Sequence, residues 1–200
     1  MWFGVRDVRM VDKKPVTTDG QRLIDIIKRI DGEGAASEAT RIVAASAQYN
    51  LGGVRTINMP TTPLEILHPD HHVQFMFKVA ARDKIDGVWT TKLTFEEFDV
   101  PTIINSTTGD PLFIRGTVWV EPGRGRLWRV EIFVGPPADA RVPRGLLNRL
   151  RVDFVPHPQM QIMVPKMMSE AFYISGGRGN GRARYSNYRR FSTAARILPQ

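Results

Sequence analysis

Residues Ile114–Val134, IRGTVWVEPGRGRLWRVEIFV, decide how this chain folds. Two runs rich in Val, Ile, Trp and Phe flank the break Pro122-Gly123-Arg124-Gly125. In the second run Trp128, Val130, Ile132 and Val134 share one parity, while Arg129 and Glu131 fall on the other. Alternation with period two is the mark of a strand buried on one face. The proline presets φ and the glycines tolerate positive φ, so the chain can reverse between the runs. The stretch predicts a β-hairpin with its Trp128–Val134 face inward and Arg126, Arg129 and Glu131 outward.

Working outward, the pattern predicts further strands at His72–Ala81, Val88–Phe98, Thr102–Asn105 and Leu146–Val155, with a reversal near Lys84–Gly87. In Leu146–Val155, Leu150, Val152 and Phe154 face inward and Arg149, Arg151 and Asp153 outward; Pro156-His157-Pro158 is expected to interrupt the strand. Around Val164-Pro165, with Met163, Met167 and Met168 nearby, a strand end is expected to pass into a helical turn at Lys166–Ala171. Gly176–Gly181 reads as a flexible reversal before a last strand, Arg182–Ile197. Strands at short spacing without intervening helices imply an antiparallel meander.

Toward the N-terminus, Trp2–Met10 reads as a strand and Lys13-Lys14-Pro15 as a turn. Leu23, Ile26, Ile27 and Ile30 then recur at i, i+3, i+4, i+7, which predicts a helix over Gln21–Ile30. Ser37 precedes a second helix at about Glu38–Tyr49, and Thr62 is expected to cap a single helical turn through Leu67. Two helices ahead of a long β region point to an α+β arrangement, helices packed on one face of one sheet.

The chain has 200 residues, 42% hydrophobic and 24% charged, which is the composition of one globular domain spanning 1–200. No apolar run approaches the roughly 20 residues that span a bilayer as a helix. Met1–Asp7 has no basic stretch followed by an apolar one and reads as strand interior, so the chain is expected to lack its native N-terminal region. There are no cysteines, which excludes disulfides and thiolate chemistry. The net charge of +8 is uneven: Arg141–Arg151 carries four arginines and Arg178–Arg196 six, without an acid in either stretch. Such faces attract nucleic acid, anionic lipid headgroups or acidic partners, and a solvated arginine face of a sheet is the plain alternative.

Three constellations invite a chemical reading. His68-Pro69-Asp70-His71-His72 offers three imidazoles and a carboxylate, the raw material of a metal-dependent hydrolase. In an extended segment His71 and His72 would point to opposite faces, and a surface role is expected. Glu97 and Asp99 share a parity, a spacing open to acid–base work, yet a solvated strand face is expected in the absence of an accompanying nucleophile motif. Tyr185, Tyr188 and Phe191 interleave with Arg184, Arg189 and Arg190 after a Gly-Arg segment, the physical recipe for a basic single-stranded nucleic-acid binder. The same interleaving describes a half-buried strand, and nucleic acid is not the expected partner. No cofactor and no enzymatic activity are expected.

In order along the chain, Trp2–Val8, Tyr49–Gly52 with Arg55–Asn58, Gly116–Pro122 with Gly125–Glu131, Val164–Glu170 and Ala183–Phe191 resemble an uncharacterised family of bacterial secreted proteins. The strand–turn–strand unit around Trp119, Pro122 and Gly125–Glu131, followed by Tyr185-Ser186-Asn187-Tyr188-Arg189-Arg190-Phe191, is also similar to lipoprotein carriers of the LolA and LolB type. That resemblance implies a curved antiparallel half-barrel with helices on its concave side, in the periplasm or at the outer membrane. It implies a non-enzymatic protein holding an apolar ligand or a lipidated partner between sheet and helices, and possible contact with a membrane surface. Trp119, Trp128, Phe154 and Met163 are the expected lining, with Arg129 and Arg189 nearer the rim.

Overall fold

The computed structural model describes Val8 and residues 10–16, 60–106, 108–135, 148–174 and 177–188. The helices expected at Gln21–Ile30 and Glu38–Tyr49 lie outside the described residues, as does the start of the expected strand Trp2–Met10. A small hairpin pairs β1 (Met10–Val11) with β2 (Lys14–Pro15), and Asp12 and Lys13 turn it at positive φ. A short helix α1 (Thr62–Ile66) comes next among the described residues, entered by Pro63 in its first turn; Thr61, not Thr62, occupies the cap, without a side-chain hydrogen bond.

Pro69–Gln74 is a 3-10 helix, so the strand expected from His72 begins three residues later. From Phe75 onward a curved, open antiparallel sheet dominates the fold. Its strands are β3 (Phe75–Ile85), β4 (Val88–Glu97), β6 (Pro111–Glu121), β7 (Arg126–Gly135), β8 (Asn148–His157), β9 (Ile162–Ile174) and β10 (Gly177–Arg184). They lie in the order β10-β9-β8-β7-β6-β4-β3, and β5 (Ile104–Asn105) pairs with the start of β6. The expected meander is present, and β6–β7 is the hairpin read from Ile114–Val134, turning at Gly123 and Gly125 with positive φ.

One face of the sheet is apolar. Cross-strand register lines up Leu93, Val118, Val130, Val152 and Met168 in a single row. Ile132 and Val152 are fully buried here, and Ile66 of α1 joins the cluster. Each such aliphatic side chain contributes about 1.5–3 kcal/mol on leaving water. In the next row Gly116 sits between Phe95 and Ile132 because a Cβ there would overlap Glu131 O and press on the Phe95 ring.

Four local expectations are corrected. Lys166–Ala171 is not helical: β9 runs straight through it, held by β8 on one side and β10 on the other from Met167 onward. Two ladders of hydrogen bonds outweigh a local preference for one helical turn. Gly177–Gly181 is strand and not a reversal; Gly179 and Gly181 leave room for the Phe172 ring and the Glu170 side chain to lie across β10. Strand β8 continues through Pro156, where the missing N–H costs no bond to β7 because that pairing ends at Asp153. Trp128 leaves its parity partners: a β-bulge between Trp119 and Val120 leaves it unpaired, and it packs with Trp119 and Ile85 in a second cluster.

Further bulges interrupt β3–β4 at Val79 and β8–β9 at Asp153. Bulges bend and twist a sheet, and here the bend is large. Asp86, in the β3–β4 turn, pairs with Lys166 on β9 at 3.5 Å. Strands β4 and β9 are four steps apart in the sheet, about 19 Å if it were flat at ~4.8 Å per step. Met163 of β9 likewise packs against the cluster built by Ile85 of β3, Trp119 of β6 and Trp128 of β7. At this end the sheet curls back toward its own first hairpin.

Candidate functional site

The second face of the sheet carries two neighbouring features, both laid out by register. The first is a row across five strands: Lys92, Trp119, Arg129, Asp153 and Met167. Trp119 is only 6% exposed, with Lys92 Nζ 5.2 Å and Arg129 Cζ 5.5 Å from its ring centroid. A ring flanked by two cations satisfies both through its negative faces. Its Nε1–H donates to Asp83 Oδ2 at 3.2 Å, and that bond, followed by the Lys84 backbone N–H, holds the Asp83 carboxyl below its ordinary value. Trp128 Nε1–H donates to Glu121 Oε2 at 3.2 Å. Arg129 is committed on its other side to Asp153, at 2.5 Å.

The second feature is a groove of about 520 Å³ on strands β8, β9 and β10. Its floor is Ser169 and Ala171; Arg149 and Arg151 rise on one side and Asn180 and Arg182 on the other. The groove exists because β9 presents two small side chains between two strands bearing long ones. Arg149 pairs with Glu131, and Arg151 with Asp153 at 3.2 Å. Glu131 and Asp153 are recessed, with side chains 15% and 13% exposed, so they anchor the arginine stems from below. Arg182 has no carboxylate partner among the described residues.

The expected lining residues divide between these surroundings. Phe154 belongs to the main apolar cluster, Trp119 and Trp128 to the second one, and half-buried Met163 packs against both. Arg129 stacks on Trp119; Arg189 lies outside the described residues.

The other constellations are also placed. Glu97 is not on a solvated face but 2% exposed, and its two oxygens accept from the backbone N–H of Ile103 and Ile114, each at 2.9 Å. Burial pushes its carboxyl above the ordinary glutamate value, against the pull of those two N–H groups. Asp99 turns instead to the Val100 N–H at 2.8 Å, so the two carboxylates do not work together. The imidazoles diverge: His68 contacts Asp70, His71 contacts Gln74, and His72 contacts the Leu67 carbonyl. Among the described residues no three His, Cys, Asp or Glu converge. Tyr185 packs against the main cluster, its hydroxyl 3.7 Å from Met168 Sδ. Tyr188 donates to the Pro165 carbonyl and sets its ring edge-on to His157, and burial raises its phenol well above the ordinary value. Both tyrosines are thus engaged with β9 or its neighbours, whereas a stacking platform for bases needs free ring faces.

No protein-family model, curated protein or solved structure matches this chain. The site therefore rests on its own residues. Residue parity sets Arg149, Arg151 and Asp153 outward from β8, as found, but it places Arg182 at the start of a later strand. The groove depends on pairing Arg182 with Ser169 across β10 and β9. The signal that could have found it is the alternation of Gly177, Gly179 and Gly181 with Arg178, Asn180 and Arg182, a strand with one bare face and one polar face.

Proposed function

We propose that this is a non-enzymatic binding domain of the bacterial envelope that holds an apolar ligand, an acyl chain or a lipidated partner, in the trough of a LolA-like half-barrel. The observation that carries the reading is the curl of the sheet at the Asp86–Lys166 end. There Met163 joins the main apolar cluster to the Trp119–Trp128–Ile85 cluster, which makes one apolar seam between the two sheet faces. Val88 and Met163, which pack on the second cluster, are only half-buried, so the seam reaches the surface. Methionine at its centre suits a ligand of variable shape, because an unbranched thioether repacks at small cost. Trp119, Trp128 and Met163 line the seam, Phe154 backs it from the main cluster, and Arg129 stands at its charged border.

The reading is tested by titrating delipidated protein with a fluorescent fatty acid while following tryptophan emission, alongside mass spectrometry of gently purified material for co-purified lipid. Saturable binding that Met163→Asp abolishes, with the far-UV spectrum unchanged, is the expected result. Absence of binding together with lipid-free purified protein refutes it.

A further inference from the structure

We infer that the groove over Ser169 and Ala171 is a phosphate site, built for a phosphomonoester with its dianion held by Arg149, Arg151 and Arg182. Three guanidinium groups border one depression, and only two of them are tied to a carboxylate among the described residues. The recessed acids Glu131 and Asp153 each take Nε and one terminal nitrogen of their arginine, which fixes the stems and leaves other guanidinium N–H groups available. A guanidinium carries five donors, so such partial use still permits an outward fork.

Neutral donors complete the set. Ser169 supplies a hydroxyl between Arg151 and Arg182 in one cross-strand row, and Asn180 an amide in the next. Glu170 also borders the groove, but it pairs with Leu150 and its parity directs it to the other sheet face, over Gly181. Tetrahedral oxyanions are matched by several arginine forks better than by point charges. The volume, about 520 Å³, lies in the range of small-molecule sites and leaves space beyond the anion itself. The ligand is therefore an ester, with its organic part along the groove or beyond it.

The chemistry is shared by a soluble phosphomonoester and by the headgroup of a phosphatidate. The inference goes beyond the apolar-ligand proposal and does not need it, since inorganic phosphate tests it without any acyl chain. Calorimetric titration of the full chain with inorganic phosphate at low salt should give saturable binding. Arg182→Gln should weaken it about tenfold or more, the scale of one lost charged contact. Arg182→Lys, which keeps the charge but loses the fork, should fall between. Ser169→Glu, which sets a like charge on the floor, should abolish binding; Arg124→Gln, in the remote β6–β7 turn, should leave it unchanged. Circular dichroism checks that each variant is folded.

Sedimentation with phosphatidylcholine vesicles, with and without phosphatidic acid, separates the two sources. Capture only by the acidic vesicles, lost in Arg182→Gln, assigns a lipid headgroup; phosphate binding without capture assigns a soluble ester. No saturable binding of phosphate or of acidic vesicles by the wild type overturns the inference. So does equal weakening by Arg182→Gln and Arg124→Gln, or oligonucleotide binding that phosphate does not compete.

Discussion

Replacing Glu97 should be among the costliest single changes in the sheet, because its carboxylate serves the backbone of β6 and of the segment just before β5 at once. One oxygen accepts from Ile103 N–H and the other from Ile114 N–H, both at 2.9 Å, and the residue is 2% exposed. In Glu97→Ala both donors lose their acceptor; an unsatisfied buried donor costs about 1–3 kcal/mol. Ile103 is half-buried and its N–H can recover part of this from water, whereas Ile114 is fully buried and cannot. The expected loss is therefore about 3 kcal/mol, on the order of 10 °C in Tm for a chain of this size. Glu97→Gln keeps one acceptor but turns an NH2 toward the other donor, so it should lose about half as much. The pH dependence has a definite sign. Burial raises the folded-state pKa of Glu97, so the folded chain binds more protons than the unfolded one just above the ordinary glutamate range. Its contribution to stability is thus largest at acid pH and declines as pH rises from the ordinary value through the raised one. Thermal unfolding of wild type and Glu97→Gln between pH 4 and 8 measures both effects. Variants within about 0.5 kcal/mol of wild type, the scatter of ordinary surface changes, or a wild-type advantage that grows with pH, would refute the reasoning.

Further outcomes rest on the same geometry. Gly116→Ala should destabilise by about 2 kcal/mol or more, because its Cβ would meet the Glu131 backbone oxygen of a paired strand. Gly179→Ala should cost less, since only the Phe172 ring must swing aside; chemical denaturation that reverses this order would show that the β6–β7 pairing is looser than its register requires. Trp119→Phe removes the indole N–H that does most to lower the Asp83 carboxyl, so its titration, followed by carbon NMR of the carboxyl group, should move up toward the ordinary aspartate range. As for any carboxyl lowered on folding, Asp83 supports the fold above its unfolded-state pKa, and the support fades as pH falls through the folded value. In Trp119→Phe that support should be smaller, and its loss complete at a higher pH.

Much of the sheet was legible from residue order alone, and the reason is local. Alternation of Val130, Ile132 and Val134 with Arg129 and Glu131, and glycines where φ turns positive, need no knowledge of distant residues. The same holds for Phe154, Val152 and Leu150 on β8 and for the reversal at Asp86-Gly87. Tertiary structure decided whatever depended on a partner strand. Parity puts Trp128 with Val130, but one extra residue at the bulge sends it to the Trp119 cluster, since side chains in a strand change face with every single-residue shift. Methionines around Lys166 are compatible with a helical turn until two flanking ladders claim their backbone. Gly177–Gly181 reads as a loop until Phe172 and Glu170 fill the space its missing side chains leave. Glu97 looks solvated until the N–H groups of Ile103 and Ile114 are brought to it. The convergence of Arg149 and Arg151 with Arg182, far apart along the chain, comes from antiparallel register, and the meeting of Asp86 with Lys166 from accumulated bending. Local chemistry sets which way a side chain faces within its strand; only pairing and curvature determine what it faces.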